Sequence, residues 1–210
     1  MTVDPVVEDG VVAGNYYPKY STRNPVSRFL VDRFLRQVDS LVGEVNPGKI
    51  HEVGCGEGEL ISRYVRPGRV LLASDFSSQI LEKARRNAQT KALQVDFIVR
   101  SIYELEEIDS ASLILCSEVL EHLEDPDNAV KRLAQVARPY LIASVPREPL
   151  WRILNMIRGK YMLNLGNTPG HLQHFSKSGF IRLLGQRFEI VKVLDPLPWT
   201  LVLARVRTNV

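Results

Sequence analysis

Residues 52–58 read Glu-Val-Gly-Cys-Gly-Glu-Gly. Glycines at alternate positions, Gly54, Gly56 and Gly58, let the backbone turn sharply and bring its N–H groups against a ligand with no Cβ in the way. A strand-like run precedes them at 49–53 and a helix-like stretch follows. Strand, glycine loop and helix N-terminus in that order make a cradle for a nucleotide-type ligand. The spacing is G-x-G-x-G with Glu52 two residues ahead, not the G-x-G-x-x-G of dinucleotide enzymes, which argues against a nicotinamide dehydrogenase. Asp75 ends the next apolar run, Arg69-Val-Leu-Leu-Ala-Ser-Asp75, where a doubly wound fold presents an acid to a ribose.

A second constellation, Glu118-Val-Leu-Glu121-His122, follows a later strand-like run. Glu118 and Glu121 stand three residues apart and face the same way on a helical turn, with His122 beside them. Two carboxylates and an imidazole suit a hard divalent ion such as Mg²⁺ or Mn²⁺. Downstream, His171-Leu-Gln-His174 stands ahead of a helix capped by Ser176, and either histidine can fold back to complete the set. The metal-free alternative makes His122 a base or a substrate-orienting group, with the glutamates capping backbone N–H groups.

The elements that must position these residues alternate. Asn24-Pro25 opens a helix, an N-cap followed by proline in the first turn, and Val26, Leu30, Phe34, Val38 and Leu41 continue it at helical spacing. Strands are predicted at about 49–53, 69–75, 94–99, 112–116 and 140–145, with helices near 58–65, 77–91 and 126–137. Ser77 caps one of these helices and Asp125-Pro126 opens another. Strands alternating with helices imply a Rossmann-like α/β fold, a parallel sheet with helices on both faces. Arg187–Leu194 and Thr200–Val206 then read as a closing hairpin that adds an antiparallel last strand. In such a sheet ligands bind beyond the carboxyl ends of the strands, so Gly54–Gly58, Asp75-Phe76, Arg100-Ser101-Ile102 and Cys116-Ser117-Glu118 converge on one crevice.

At 210 residues, 45 % hydrophobic and 24 % charged, the chain reads as one globular domain, 1–210, with an N-terminal lid and helix at 1–45 and a substrate-side insertion at 147–175. A formal charge of +3 with no long Lys/Arg block argues against nucleic acid as a partner. No signal peptide or membrane span is legible, and Cys55 and Cys116 have no neighbouring cysteine, so a reducing cytoplasm is expected. The insertion carries Leu150, Trp151, Ile153 and Leu154 among Arg152, Asn155 and Arg158, and Pro149 opens it as a basic amphipathic helix. Such a helix suits a membrane surface, an apolar lid over a greasy substrate, or plain packing on the sheet. Tyr16, Tyr17 and Tyr20 make an aromatic N-terminal segment placed to cover the crevice or to pack on the sheet edge.

The Glu52–Gly58 loop and Asp75 resemble the class I S-adenosylmethionine-dependent methyltransferases, from about residue 45 to the end of the chain. The resemblance implies that Glu52, Gly54, Cys55, Gly56 and Gly58 hold the methionine part of the cofactor and that Asp75 binds its ribose. Phe76 then lies against the adenine, Ser101 and Ile102 reach its edge, and Cys116 borders it. Ser101 stands where the family often has an acid. Glu118-x-x-Glu121-His122 resembles two metal-dependent branches, the ubiquinone-biosynthesis O-methyltransferases and the small-RNA 3′-terminal 2′-O-methyltransferases. That implies Glu118, Glu121, His122 and His174 as ligands of Mg²⁺ or Mn²⁺, His122 as catalytic residue, and Tyr20, Trp151 and His171 on the substrate side. The order Arg-Glu-Pro, apolar helix, Gly159-x-Tyr161, Pro169-Gly170-His171 is similar to the ubiquinone branch and points to a hydroxyl on a small apolar or lipid-linked acceptor. An RNA 2′-hydroxyl, or a cofactor-binding module without turnover, are the competing expectations. Acceptor identity and oligomeric state are not legible.

Overall fold

The computed structural model describes Thr22, residues 24–151 and residues 171–207, with the backbone alone of 6–8 and 11–13. Two short strands, β1 (Val6–Glu8) and β2 (Val11–Ala13), pair antiparallel by themselves. Helix α1 (Pro25–Val45) starts where expected: the Asn24 side chain accepts from the Ser27 N–H at 3.0 Å, with proline at the first helical position. Left-handed Asn46 ends it.

The rest alternates: β3 (Lys49–Val53), β4 (Val70–Asp75), α2 (Ser78–Thr90), β5 (Asp96–Val99), β6 (Ala111–Ser117), α3 (Pro126–Val136), β7 (Ala137–Pro146), α4 (Lys177–Gly185), β8 (Phe188–Leu194) and β9 (Trp199–Val206). Ser77, Asp125 and Ser176 accept from the N–H three residues on and cap α2, α3 and α4, each such cap contributing about 1 kcal/mol. The helix expected near 58–65 is only a 3₁₀ turn, Ile61–Tyr64. The Glu52 carboxylate takes the Ile61 N–H at 2.8 Å and draws the first turn down onto β3, and Val65 is already extended ahead of Pro67.

The seven strands of the main sheet lie in the order β5-β4-β3-β6-β7-β9-β8. All pairs from β5 to β7 are parallel, and β9 runs antiparallel to both β7 and β8. The antiparallel last strand is therefore not at the edge: the hairpin reaches out to β8 and returns between it and β7. That choice follows burial, since β9 is apolar over Leu201–Ala204 and fully covered, while β8 alternates and suits an edge. One core forms beneath α3 and α4, with Leu133, Phe180 and Phe188. The other forms beneath α1, the 3₁₀ turn and Leu81 of α2, with Phe34, Leu41 and Ile61. Among the described residues no helix is long and apolar enough to cross a membrane.

Chain order reverses between β4 and β6 on either side of β3, so the crevice at the carboxyl end of β3 is a topological switch point. Beneath it lies His51, fully buried, with Nδ1 2.8 Å from the Asp109 carbonyl and Nε2 2.8 Å from the Ser74 hydroxyl. A carbonyl only accepts, so the proton belongs on Nδ1, and Nε2 takes the Ser74 hydrogen. Burial pushes the imidazole down to about 4, against the pull of the Asp109 carbonyl.

Between the ordinary value of 6.5 and about 4 the unfolded chain binds a proton at this histidine and the native chain does not, so stability falls as pH falls through that window. His51→Gln is expected to cost about 2 kcal/mol at neutral pH through broken buried hydrogen bonds, and to flatten that acid limb. Urea unfolding at a series of pH values checks both; an equally steep limb in the variant would place the titration elsewhere.

Candidate active site

The glycine loop is held from β4. The Gly54 and Cys55 N–H groups donate to the Ser74 carbonyl at 2.8 and 3.0 Å, and the Gly56 N–H donates to Asp75 Oδ2 at 3.0 Å. Gly58 N–H closes a turn on the Cys55 carbonyl at 3.0 Å. Gly54, Gly56 and Gly58 all have positive φ, 73°, 53° and 74°. At Gly54 the need for glycine is also steric: a Cβ there would lie 2.4 Å from Val119 Cγ2.

Asp75 is 6 % exposed and its second oxygen accepts from the Ser77 N–H at 3.1 Å. Burial raises its carboxyl above the ordinary range, and the Ser77 and Gly56 N–H groups pull it back. A carboxylate has about four lone-pair sites, more than these N–H groups use, which leaves room for a hydroxyl donor from the crevice. Around it Phe76 is half-buried at the mouth of the loop, while Ile102 is buried in the core beneath α3. The Ser101 hydroxyl caps the Tyr103 N–H at 3.3 Å, and Glu104 returns a bond to the Ser101 N–H. Cys116, expected at the border of the cofactor, is instead 0 % exposed within that same core. Strand alternation decides this: Leu115 and Ser117 face the α1 side of the sheet, so Cys116 between them faces α3.

At the end of β6 the chain turns abruptly. Glu118 has φ 55°, a left-handed conformation costly for a residue with a Cβ, and its N–H donates to the Ser144 carbonyl of β7 at 2.9 Å. Val119 then packs onto Gly54, and Leu120–His122 form a 3₁₀ turn. The Glu121 carbonyl receives the N–H groups of Leu172 and Gln173, both at 2.9 Å, and the Gln173 side chain donates to the Leu123 carbonyl. These bonds bring the distant 171–176 segment to the β6 turn. His171 meets His122 edge-on, ring centroids 4.9 Å apart.

Ligand atoms of Glu121, His122 and His171 all lie within 4.8 Å of one another. Modest side-chain rotation brings such a set to the spacing of donors around one ion at about 2.0–2.2 Å. The structure thus brings together two of the expected donors, Glu121 and His122, with His171, one of the two histidines expected to complete the set. His174 turns away to Glu148, Nδ1 to Oε1 3.7 Å. Three residues on an extended segment point to opposite sides, so only one of the two histidines can face His122. Glu118 is not in the trio but is near enough to raise His171, which burial and then the His122 neighbour push down to about 4. His171 is therefore neutral at physiological pH, with a lone pair free for a metal or a proton.

Trp151, in the first helical turn after Pro149, lies parallel to His171 (25° between planes, 6.4 Å) and against Trp199 (5.8 Å), which in turn packs on Phe34 of α1 (5.0 Å). Trp199 had no place in the sequence reading; the only signal was a tryptophan directly before the last strand, after Pro198. Tyr16, Tyr17, Tyr20 and the expected amphipathic helix beyond Trp151 lie outside the described residues.

Residues 51–142 match a family model described as a methyltransferase domain. The chain is 26 % identical over 166 residues to the ubiquinone biosynthesis O-methyltransferase of Xanthomonas euvesicatoria pv. vesicatoria (strain 85-10), covering 74 % of this chain and 70 % of that one. Among solved structures it superposes on magnesium protoporphyrin IX methyltransferase from Synechocystis PCC 6803 with bound SAH, TM-score 0.68 at 22 % identity over 89 % of this chain and 90 % of the other. The same enzyme with bound SAM gives 0.65 at 20 % identity, over 90 % and 88 %. With a glycine loop of the right spacing seated at the switch point of a sheet that closes on an inserted antiparallel strand, the chain has the class I Rossmann-like fold and is an S-adenosylmethionine-dependent methyltransferase.

Proposed function

We propose that this methyltransferase transfers the methyl group to a hydroxyl of a small apolar acceptor held over the β6 and β7 ends. The observation that carries this reading is the convergence of Glu121, His122 and His171 on a turn whose Val119 packs directly on the glycine loop. Groups able to take a hydroxyl proton thereby stand next to the cradle that presents the methyl.

In this reading the backbone of Gly54–Gly58 surrounds the methionine part, with Glu52 holding the turn below it through Ile61. Asp75 accepts from the ribose hydroxyls, and Phe76 and the Ser101–Ile102 corner flank the adenine. S-adenosylmethionine supplies an already activated methyl group, so the protein's work is alignment of the acceptor oxygen and removal of its proton. Neutral His171 and its neighbour His122 are placed to accept that proton. Glu121, His122 and His171 would also hold a divalent ion, and such an ion, when bound, lowers the pKa of the acceptor hydroxyl. The aromatic surface of Trp151 and Trp199 beside the histidines favours a small apolar acceptor over an RNA end, which calls for a basic track.

Asp75→Ala should weaken S-adenosylmethionine binding by about 1–3 kcal/mol, roughly tenfold to a hundredfold, through lost charged hydrogen bonds. Isothermal calorimetry reads this directly, and unchanged affinity removes the ribose assignment. His122→Ala should lower turnover of a catechol by about a hundredfold or more while sparing cofactor affinity. Chelator should do the same to the wild type, with recovery on adding Mg²⁺ or Mn²⁺. Turnover indifferent to chelator but lost in the variant would leave His122 as a base and dismiss the ion.

A further inference from the structure

The two edges of the seven-stranded sheet are finished differently. Along β8 the register slips between Ile190 and Lys192, and Glu189 and Lys192 carry charge within the strand, devices that keep an edge from pairing. β5 has neither: Phe97, Ile98 and Val99 are apolar, its ladder to β4 is regular, and Val99 is 53 % exposed. The Arg100 N–H reaches the Asp75 carbonyl beside β5, so by alternation Phe97 and Val99 turn their N–H and C=O groups outward. Arg85 of α2 takes one lone pair of the Phe97 carbonyl at 2.9 Å. Among the described residues no strand pairs with the rest of that edge. The link from β5 to β6 holds only two 3₁₀ turns, Ile102–Glu104 and Glu107–Asp109, and no helix covers the sheet face there. An open cleft of about 690 Å³ results, lined by Val70, Leu72, Ile98, Ile108 and Arg100.

We propose that β5 is a self-association edge: a second copy of this chain lays its own β5 antiparallel along it and joins the two sheets into one. The residues there complement themselves. Val95 and Phe97 pack toward the core beneath α1, so Asp96, Ile98 and Arg100 share the opposite, uncovered face. Turned about a two-fold axis through Ile98, two copies set Asp96 against the partner's Arg100, Phe97 against the partner's Val99, and Ile98 against the partner's Ile98. Phe97 and Val99 then exchange the backbone hydrogen bonds, and the charged pair falls at the closer, non-hydrogen-bonded positions. Arg100 already lies 3.4 Å from Asp109, and a guanidinium has donors enough for a second carboxylate. A parallel alignment in register would instead set like charge on like charge. The strands are short, so the association is weak and reversible, with a Kd of about 10–100 µM.

Sedimentation equilibrium of the 210-residue protein from about 10 to 500 µM is expected to show the mass rising from 23.8 kDa toward twice that value. Asp96→Arg, which meets the partner's Arg100 with like charge, should weaken the association about tenfold or more. Asp96 is exposed and away from the crevice, so SAH affinity should not change. Ile98→Cys sets two thiols across the two-fold axis, with Cα atoms about 4.5 Å apart and within reach of a disulfide. Asp96→Cys sets them about 14 Å apart, out of reach. Mild oxidation should therefore link Ile98→Cys into a covalent dimer and leave Asp96→Cys unlinked; Cys55 and Cys116 are buried and do not compete. A mass of 23.8 kDa at every concentration overturns the proposal. So does a dimer that Asp96→Arg leaves equally tight, or one that cross-links no better at position 98 than at 96, since either runs through another surface.

Discussion

The crevice depends on two neighbouring acceptors at the end of β4, the Ser74 carbonyl and the Asp75 carboxylate, which collect the N–H groups of Gly54, Cys55 and Gly56. The loop that turns through alternate left-handed glycines pairs only its Gly58 N–H internally, on the Cys55 carbonyl, and the buried donors ahead of it must be paired elsewhere. β4 answers that need from the side. The same two residues tie in the flanking strands: the Asp75 carbonyl takes the Arg100 N–H beyond β5, and the Ser74 hydroxyl is locked onto His51 of β3. A single polar knot, sealed beneath by a neutral histidine, thus sets the shape of the cradle before any ligand arrives.

The cradle and the reacting groups are not separate parts. Val119 occupies the space that a side chain at position 54 would need, so the turn after β6 rests on the glycine loop itself. Left-handed Glu118 makes that turn possible, and its N–H bond to Ser144 holds the strained residue in place. Three residues further, the Glu121 carbonyl anchors 172–173 and delivers His171 from fifty residues away in sequence. Among the described residues, the two halves of the site are therefore joined by packing contacts and backbone bonds.

On the far side of the crevice the seven-stranded sheet uses its one antiparallel strand. Inserting β9 between β7 and β8 places its first residue, not its last, at the crevice, and that residue is Trp199. Together with α1, whose Phe34 backs the indole, the inserted strand builds an aromatic wall that a purely parallel sheet would have to furnish from loops.

Local signals were legible wherever local physics decides. Asn24-Pro25, Ser77, Asp125-Pro126 and Ser176 announce helix starts because a cap needs only the residue and the N–H three positions on, and each is realised. The glycine loop and Asp75 were readable for the same reason: positive φ and a terminal acid are demands on single residues. What needed the tertiary structure were the choices between equivalent residues. His171 rather than His174 faces His122 because the Glu121 carbonyl sets the register of an extended segment, and no spacing rule distinguishes them. Cys116 faces the core beneath α3 and Trp199 packs on Phe34 and Trp151 because sheet order and strand direction, which are properties of distant pairings, decide what each side chain meets. The sequence by itself determined a glycine-loop cradle on an alternating α/β chain. Only the tertiary structure decided which histidine meets His122 and which rings pack beside it, since those contacts join segments that the chain order keeps apart.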